Sequence, residues 1–133
     1  MKVKFNIRPD IPNKNGVIFP KEVLEEAFNK YKAENYRFGA LKYSPSGSML
    51  SVSDVAFEVK SIEQEGDLYV GEIEILNSPT GKQLQEKIAG KPLEDFRLCT
   101  MMIGDTDIVK EDVIRVKNAK VEYVTIFPRE ECA

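Results

Sequence analysis

Apolar and polar positions alternate from the first residues. Val3, Phe5 and Ile7 are separated by Lys4 and Asn6 and flanked by Lys2 and Arg8. A period of two places the apolar set on one face of a half-buried strand. Residues 9–20, P-D-I-P-N-K-N-G-V-I-F-P, hold three prolines and an Asn15-Gly16 turn signal and read as a loop. From Pro20 the period lengthens. Val23, Leu24, Ala27, Phe28 and Tyr31 form one apolar stripe, which predicts a helix through about Glu34. Residues 35–49 contain the breakers Gly39, Pro45 and Gly47 and predict irregular structure. The strand pattern returns from Ser51, with Val55, Phe57 and Val59 facing one way and Asp54, Glu58 and Lys60 the other. Glu65-Gly66-Asp67 marks a hairpin turn, and residues 68–76 form its partner strand.

The strongest local signals lie in residues 72–90, E-I-E-I-L-N-S-P-T-G-K-Q-L-Q-E-K-I-A-G. A strand ends at Leu76 and a helix follows. Ser78 suits the N-cap, and Pro79 the first helical position, where its missing N–H costs nothing. Leu84 and Ile88 share a face. Gly90 fits the left-handed position past the helix end. Residues 92–95 connect to an apolar strand over residues 96–103, which Gly104-Asp105-Thr106-Asp107 breaks. Residues 113–116 and 121–127 predict two more strands with Asn118 near their bend, and residues 128–133 read as a polar tail. No repeat, linker or low-complexity tract interrupts this order. The expectation is one α+β domain, residues 1–133: a mainly antiparallel β-sheet or partly closed barrel with two short helices.

Composition narrows the chemistry. A chain of 133 residues can bury a core without staples. Lys+Arg number 19 against 22 Asp+Glu, so nothing in bulk draws the chain to nucleic acid or an acidic membrane. No run approaches the ~20 apolar residues of a membrane span, and the N-terminus lacks the apolar region of a signal peptide. Two cysteines, Cys99 and Cys132, are too few for a disulfide framework or a four-ligand zinc site. A reducing cytosol is the default compartment. There is no histidine at all. That removes Ser-His-Asp and Cys-His catalysis and His-ligated metals, and no cofactor is expected.

Four clusters carry some chemistry, each with a plainer reading. Residues 44–48, S-P-S-G-S, could cradle a phosphate through backbone N–H groups, but they lack a P-loop's Lys-Ser/Thr ending and read as an ordinary loop. Asp105, Asp107, Glu111 and Asp112 could hold a hard cation, but without calcium-loop spacing they read as a solvated turn. Cys99-Thr100 sits in an apolar strand with Arg97 as its nearest basic residue; a structural cysteine is the simpler reading. Cys132 reads as an exposed thiol capable of disulfide formation. Tyr31, Tyr36, Arg37, Phe38 and Tyr43 set aromatics beside a cation, which suits packing or an interface as readily as ligand stacking.

Three stretches together resemble the tailed-phage prohead proteases, the capsid-maturation serine peptidases related in fold to the herpesvirus assemblins. N-K-N-G-V-I-F-P-K-E-V-L-E-E-A-F, residues 13–28, is similar to the family's N-x-N-G-R-I-Y-P-x-x-V-L-x-x-A. D-L-Y-V-G-E-I-E-I-L-N-S-P-T-G-K-Q-L, residues 67–84, is similar to its G-x-I-x-I-L-x-T-P-x-G-x-x-L. R-L-C-T-M-M-I-G, residues 97–104, stands in place of its S-S-R-G-x-G block.

The resemblance implies the fold and a bacteriophage setting, and it locates the departures. The family's catalytic His lies in a G-x-x-x-H-P segment; here that is G-A-L-K-Y-S-P, with Tyr43 or Ser44 at the His position. The second His falls near Asp54. The nucleophile block becomes Cys99-Thr100-Met101-Met102. A peptidase of this kind needs a base to take the hydroxyl proton, and the loss of every His removes it. The expectation is therefore a pseudoenzyme in capsid assembly: a scaffold, decoration or minor capsid component of the prohead or virion, in the host cytoplasm or the virion. Its partners would be phage capsid or scaffold proteins and further copies of itself. Tyr43, Ser44, Asp54, Cys99, Thr100 and Met101 would line the emptied cleft. Two alternatives stand beside it: a divergent peptidase using Thr100 or Cys99, and a small-molecule-sequestering or host-inhibitory protein with Tyr43, Arg37 and residues 44–48 at its site.

Overall fold

The structure, a computed structural model, describes residues 1–44 and 50–132. Its elements in order are β1 (Lys2–Lys4), β2 (Val17–Ile18), α1 (Lys21–Lys32), β3 (Phe38–Ala40), β4 (Val55–Glu65), β5 (Leu68–Ile75), α2 (Pro79–Ile88), β6 (Phe96–Ile103), β7 (Thr106–Lys110), β8 (Val113–Val116) and β9 (Lys120–Pro128). Short 3-10 turns cover Val52–Asp54, Leu93–Asp95 and Arg129–Glu131. The residues 45–48 of the suggested phosphate-cradling loop lie outside the described residues.

The architecture is α+β with two helices, as the sequence predicts, but its sheets are mixed. Six strands run in the order β1-β5-β4-β3-β9-β6, and three in the order β2-β8-β7. The β3–β9 and β2–β8 pairs are parallel; the others are antiparallel. The large sheet curls until its edges meet at one parallel bridge, Phe5 to Leu98, where the Asn6 N–H donates to the Leu98 carbonyl at 2.8 Å. One bridge is not a ladder, so the barrel is not closed.

The signals around α2 act as expected. Ser78 caps the helix, its hydroxyl oxygen accepting from the Gly81 N–H at 3.0 Å, and Gly90 takes a left-handed φ of 72°. Gly81 is also forced by space, since a Cβ there would collide with the Leu76 carbonyl. The core gathers Phe5, Leu24, Phe28, Tyr31, Phe57, Val59, Ile73, Leu84, Leu98, Val124 and Ile126. Phe28 of α1 packs against Phe5 and Tyr69, with ring centroids 5.1 and 4.6 Å away.

Three strands fall where the sequence predicts none. β2 lies in the expected loop of residues 9–20 and forms by parallel pairing with β8. β3 occupies the irregular stretch yet lies inside the sheet, with β4 on one side and β9 on the other. It forms because both neighbours satisfy its backbone, and because Gly39 leaves room for the Phe57 ring, which a Cβ would strike. β7 runs through the expected break; all five residues are exposed, so pairing with β8 holds it and no buried face marks it in the sequence.

Candidate functional site

The pleat of β9 sorts the site. Val124 and Ile126 belong to the core, whereas Tyr123, Thr125 and Phe127 alternate onto the opposite face. On β6, Cys99 lies opposite Thr125 and Met101 opposite Tyr123. The chain leaving β3 lays Tyr43 over this face, its ring 5.5 Å from Phe127 and 6.5 Å from Tyr123. The Ser44 N–H donates to the Tyr123 hydroxyl at 2.9 Å, pinning that segment to β9.

Past the Phe5–Leu98 bridge a cleft of about 290 Å³ opens at the edge of β6. Residues 6–8 and 11–14 form one wall with Phe19, and Tyr43, Cys99 and Thr100 form the other. Successive strand residues point to opposite faces, so Cys99 and Thr100 can share a cleft only at a strand edge. Arg8 and Lys14 bring two cations, and among the described residues no carboxylate lines the cleft.

Of the expected site residues, the structure brings together Tyr43, Cys99 and Thr100, with Ser44 alongside. Asp54 stands apart. Val55, Ala40, Thr125 and Cys99 form one cross-strand row, so the end of β4 lies three strand spacings from β6, about 14 Å. Met101 packs beside Tyr123 and does not line the cleft. Arg37 is not a ligand-facing cation. Its guanidinium donates to the carbonyls of Lys32, Glu34, Val59 and Lys60 at 2.6–3.2 Å, satisfying the open end of α1 and tying it to β4. Tyr31 is buried in the core, and Tyr36 stacks on Phe38 at 5.7 Å. In the acidic turn, Asp105 pairs with the Asn118 amide at 3.0 Å and Asp107 lies 3.8 Å from Lys117. Among the described residues no three acidic or thiol groups converge as metal ligands.

Cys132 is not the exposed thiol that the sequence suggests. It is only 4% exposed, and its Sγ lies 3.3 Å from Cys99 Sγ. Burial pushes the Cys99 thiol far up, and the Cys132 contact pushes it further. A thiol held protonated is a poor nucleophile. Among the described residues, no base is aligned on the Thr100 hydroxyl, which lines the cleft. Tyr43 is also shifted up by burial and by Cys99, while hydrogen bonding with Thr125 pulls the other way.

The wall formed by residues 6–14 is what the sequence misses. These positions read as the end of a strand and a proline-rich loop. The available signal was Asn13, whose side-chain oxygen accepts from the N–H groups of Asn15 and Val17 at 2.9 and 3.0 Å and makes the loop an ordered turn.

The mixed sheets and two helices make up a fold that is also found in a phage capsid assembly protease. In particular, the chain is similar to the bacteriophage T4 capsid assembly protease gp21: the TM-score is 0.78 at 18% identity, over 94% of this chain and 80% of that one. At this identity the likeness defines the fold. No protein-family model and no curated protein matches the chain.

Proposed function

We propose that this chain is a non-catalytic relative of the capsid-maturation proteases that acts in phage head assembly, binding capsid or scaffold protein through the cleft at the edge of β6. The observation that carries this reading is a protease fold, shared with a capsid assembly protease, in a chain with no histidine. The positions that would hold a catalytic centre present a tyrosine, a protonated thiol and a threonine without an aligned base. An aromatic wall, apolar Ile7, Ile11 and Phe19, and two cations suit recognition of a polypeptide better than cleavage of one. The chain is expected in the host cytoplasm during head assembly, or retained in the virion. No helix among the described residues is long and apolar enough to cross a membrane.

Light scattering of the purified protein, alone and mixed with capsid or scaffold protein of the same phage, tests this reading. A stable complex or a defined homo-oligomer is expected. A monomer that ignores both partners overturns it. Incubation with the same proteins should give no cleavage, and cleavage abolished by Thr100→Ala or Cys99→Ala would establish the peptidase alternative instead.

One observation favours a second reading, sequestration of a small anionic ligand. The cleft volume falls near the lower end of ligand pockets, and among the described residues Arg8 and Lys14 are its only charged lining. A thermal-shift screen with nucleotides separates the two. A ligand present at 100 times its Kd adds about 2.7 kcal/mol of stability, whereas an assembly protein shows no shift.

A further inference from the structure

We infer that Cys99 and Cys132 form a reversible disulfide site that fastens the C-terminal tail to β6 beside the cleft. The two sulfurs are 3.3 Å apart, although the residues are 33 positions apart in sequence. A disulfide requires about 2.0 Å, so the sulfurs must approach by little more than 1 Å. Cys99 is fixed in the β6–β9 ladder opposite Thr125. Cys132 follows the short 3-10 turn Arg129–Glu131, held by two long hydrogen bonds, its N–H to the Arg129 carbonyl at 3.3 Å and its thiol to the Pro128 carbonyl at 3.6 Å. The tail can therefore supply the movement while the strand stays in register. The chain contains no third cysteine to compete.

The oxidant is a low-molecular-weight disulfide, RSSR. Cys99 lines the cleft and is only half-buried, so it is the thiol that such a molecule reaches. Cys99 loses its proton, and its thiolate attacks one sulfur of RSSR, forming a mixed disulfide and expelling RS⁻. Cys132 then loses its proton and attacks Cys99 Sγ, expelling the second RS⁻. Both RS⁻ take up the released protons, so two protein thiols are oxidised and one RSSR is reduced to two RSH. The groups acting on this pair are Tyr43 beside Cys99, and Arg97, Lys14 and Glu130 around Cys132. Arg97 and Lys14 favour the Cys132 thiolate, whereas burial opposes ionisation of both thiols. The reaction is accordingly slow at neutral pH and accelerates as pH rises. Thiol reductant cleaves the bond and restores the two free thiols, leaving the tail held by its noncovalent contacts alone.

The test uses the full chain, reduced and then incubated with oxidised glutathione at about pH 8. Thiols are counted after denaturation, with intact mass in parallel. The expected product has lost two thiols and two hydrogen masses, carries no glutathione, and remains monomeric on a non-reducing gel. Its melting temperature rises by roughly 5–15 °C, and dithiothreitol reverses the rise. Cys132→Ser should stop at a single glutathione adduct on Cys99. Persistence of two thiols, a stable glutathione adduct on the unsubstituted chain, disulfide-linked dimers, or an unmodified Cys132→Ser chain each overturns the proposal. The thiol count on the unsubstituted chain decides the matter even where the variant does not fold.

Discussion

Cys99 and Tyr43 occupy positions where the resemblance places catalytic residues, yet each is held in its uncharged form. Burial raises the Cys99 thiol above its ordinary 9.0, and the Tyr31 and Tyr43 hydroxyls above 10.0. In the unfolded chain these groups ionise at their ordinary values; in the folded chain they stay protonated. Their stabilising contribution is therefore complete below about pH 9 and is lost as pH climbs through the folded values. Urea unfolding followed between about pH 8 and pH 11 should show a falling midpoint, and a flat profile would contradict these shifts. Iodoacetamide should label Cys99 slowly at neutral pH, at a rate that climbs with pH, as mass spectrometry of its peptide can follow.

At the scale of elements, three local devices hold the parts in place. Ser78 accepts from the Gly81 N–H and donates to the Val55 carbonyl at 3.2 Å, linking α2 to β4. Ser78→Ala is expected to cost about 1 kcal/mol, read as a shifted urea midpoint at unchanged slope. Gly39→Ala drives a methyl group into the Phe57 ring at the centre of the sheet and should cost about 3 kcal/mol. Arg37→Met leaves the end of α1 and two β4 carbonyls without their donor; a loss of about 2 kcal/mol is expected, with little change in any ligand binding at the cleft. The last comparison separates a structural clamp from a ligand-binding cation. α2 and its caps were readable because each signal acts within four residues. β3 and β7 were not, because a three-residue strand between two neighbours and a fully exposed strand leave no periodic hydrophobic trace.

At the scale of the whole molecule, the curled sheet leaves one edge partly open. β6 is bridged at Leu98, and the cleft lies where that pairing stops. The fold is similar to that of a phage capsid assembly protease, and the proposed function makes this edge a binding surface. Replacing Tyr43 by Ala should remove the ring packed at a tilt against Phe127 and Tyr123. Under the proposed assembly function, it should weaken a capsid-protein complex at least 10-fold in Kd, measured by titration calorimetry, while circular dichroism stays unchanged.

Periodicity and local capping determined both helices, the β4–β5 hairpin, the apolar β6 and the α+β class. These depend on contacts between residues near in sequence or on a simple inside-outside pattern. The absence of histidine determined, from composition alone, which catalytic classes were closed. Only the tertiary structure decided that Arg37 caps a helix, that Asp54 stands three strands from Cys99, and that residues 6–14 wall a cleft. It also moved Cys132 from a solvent-exposed tail to a sulfur contact with β6. Each of these is a pairing across tens of residues, set by which strands neighbour one another in the sheet, and strand order leaves no mark in the local pattern of a chain.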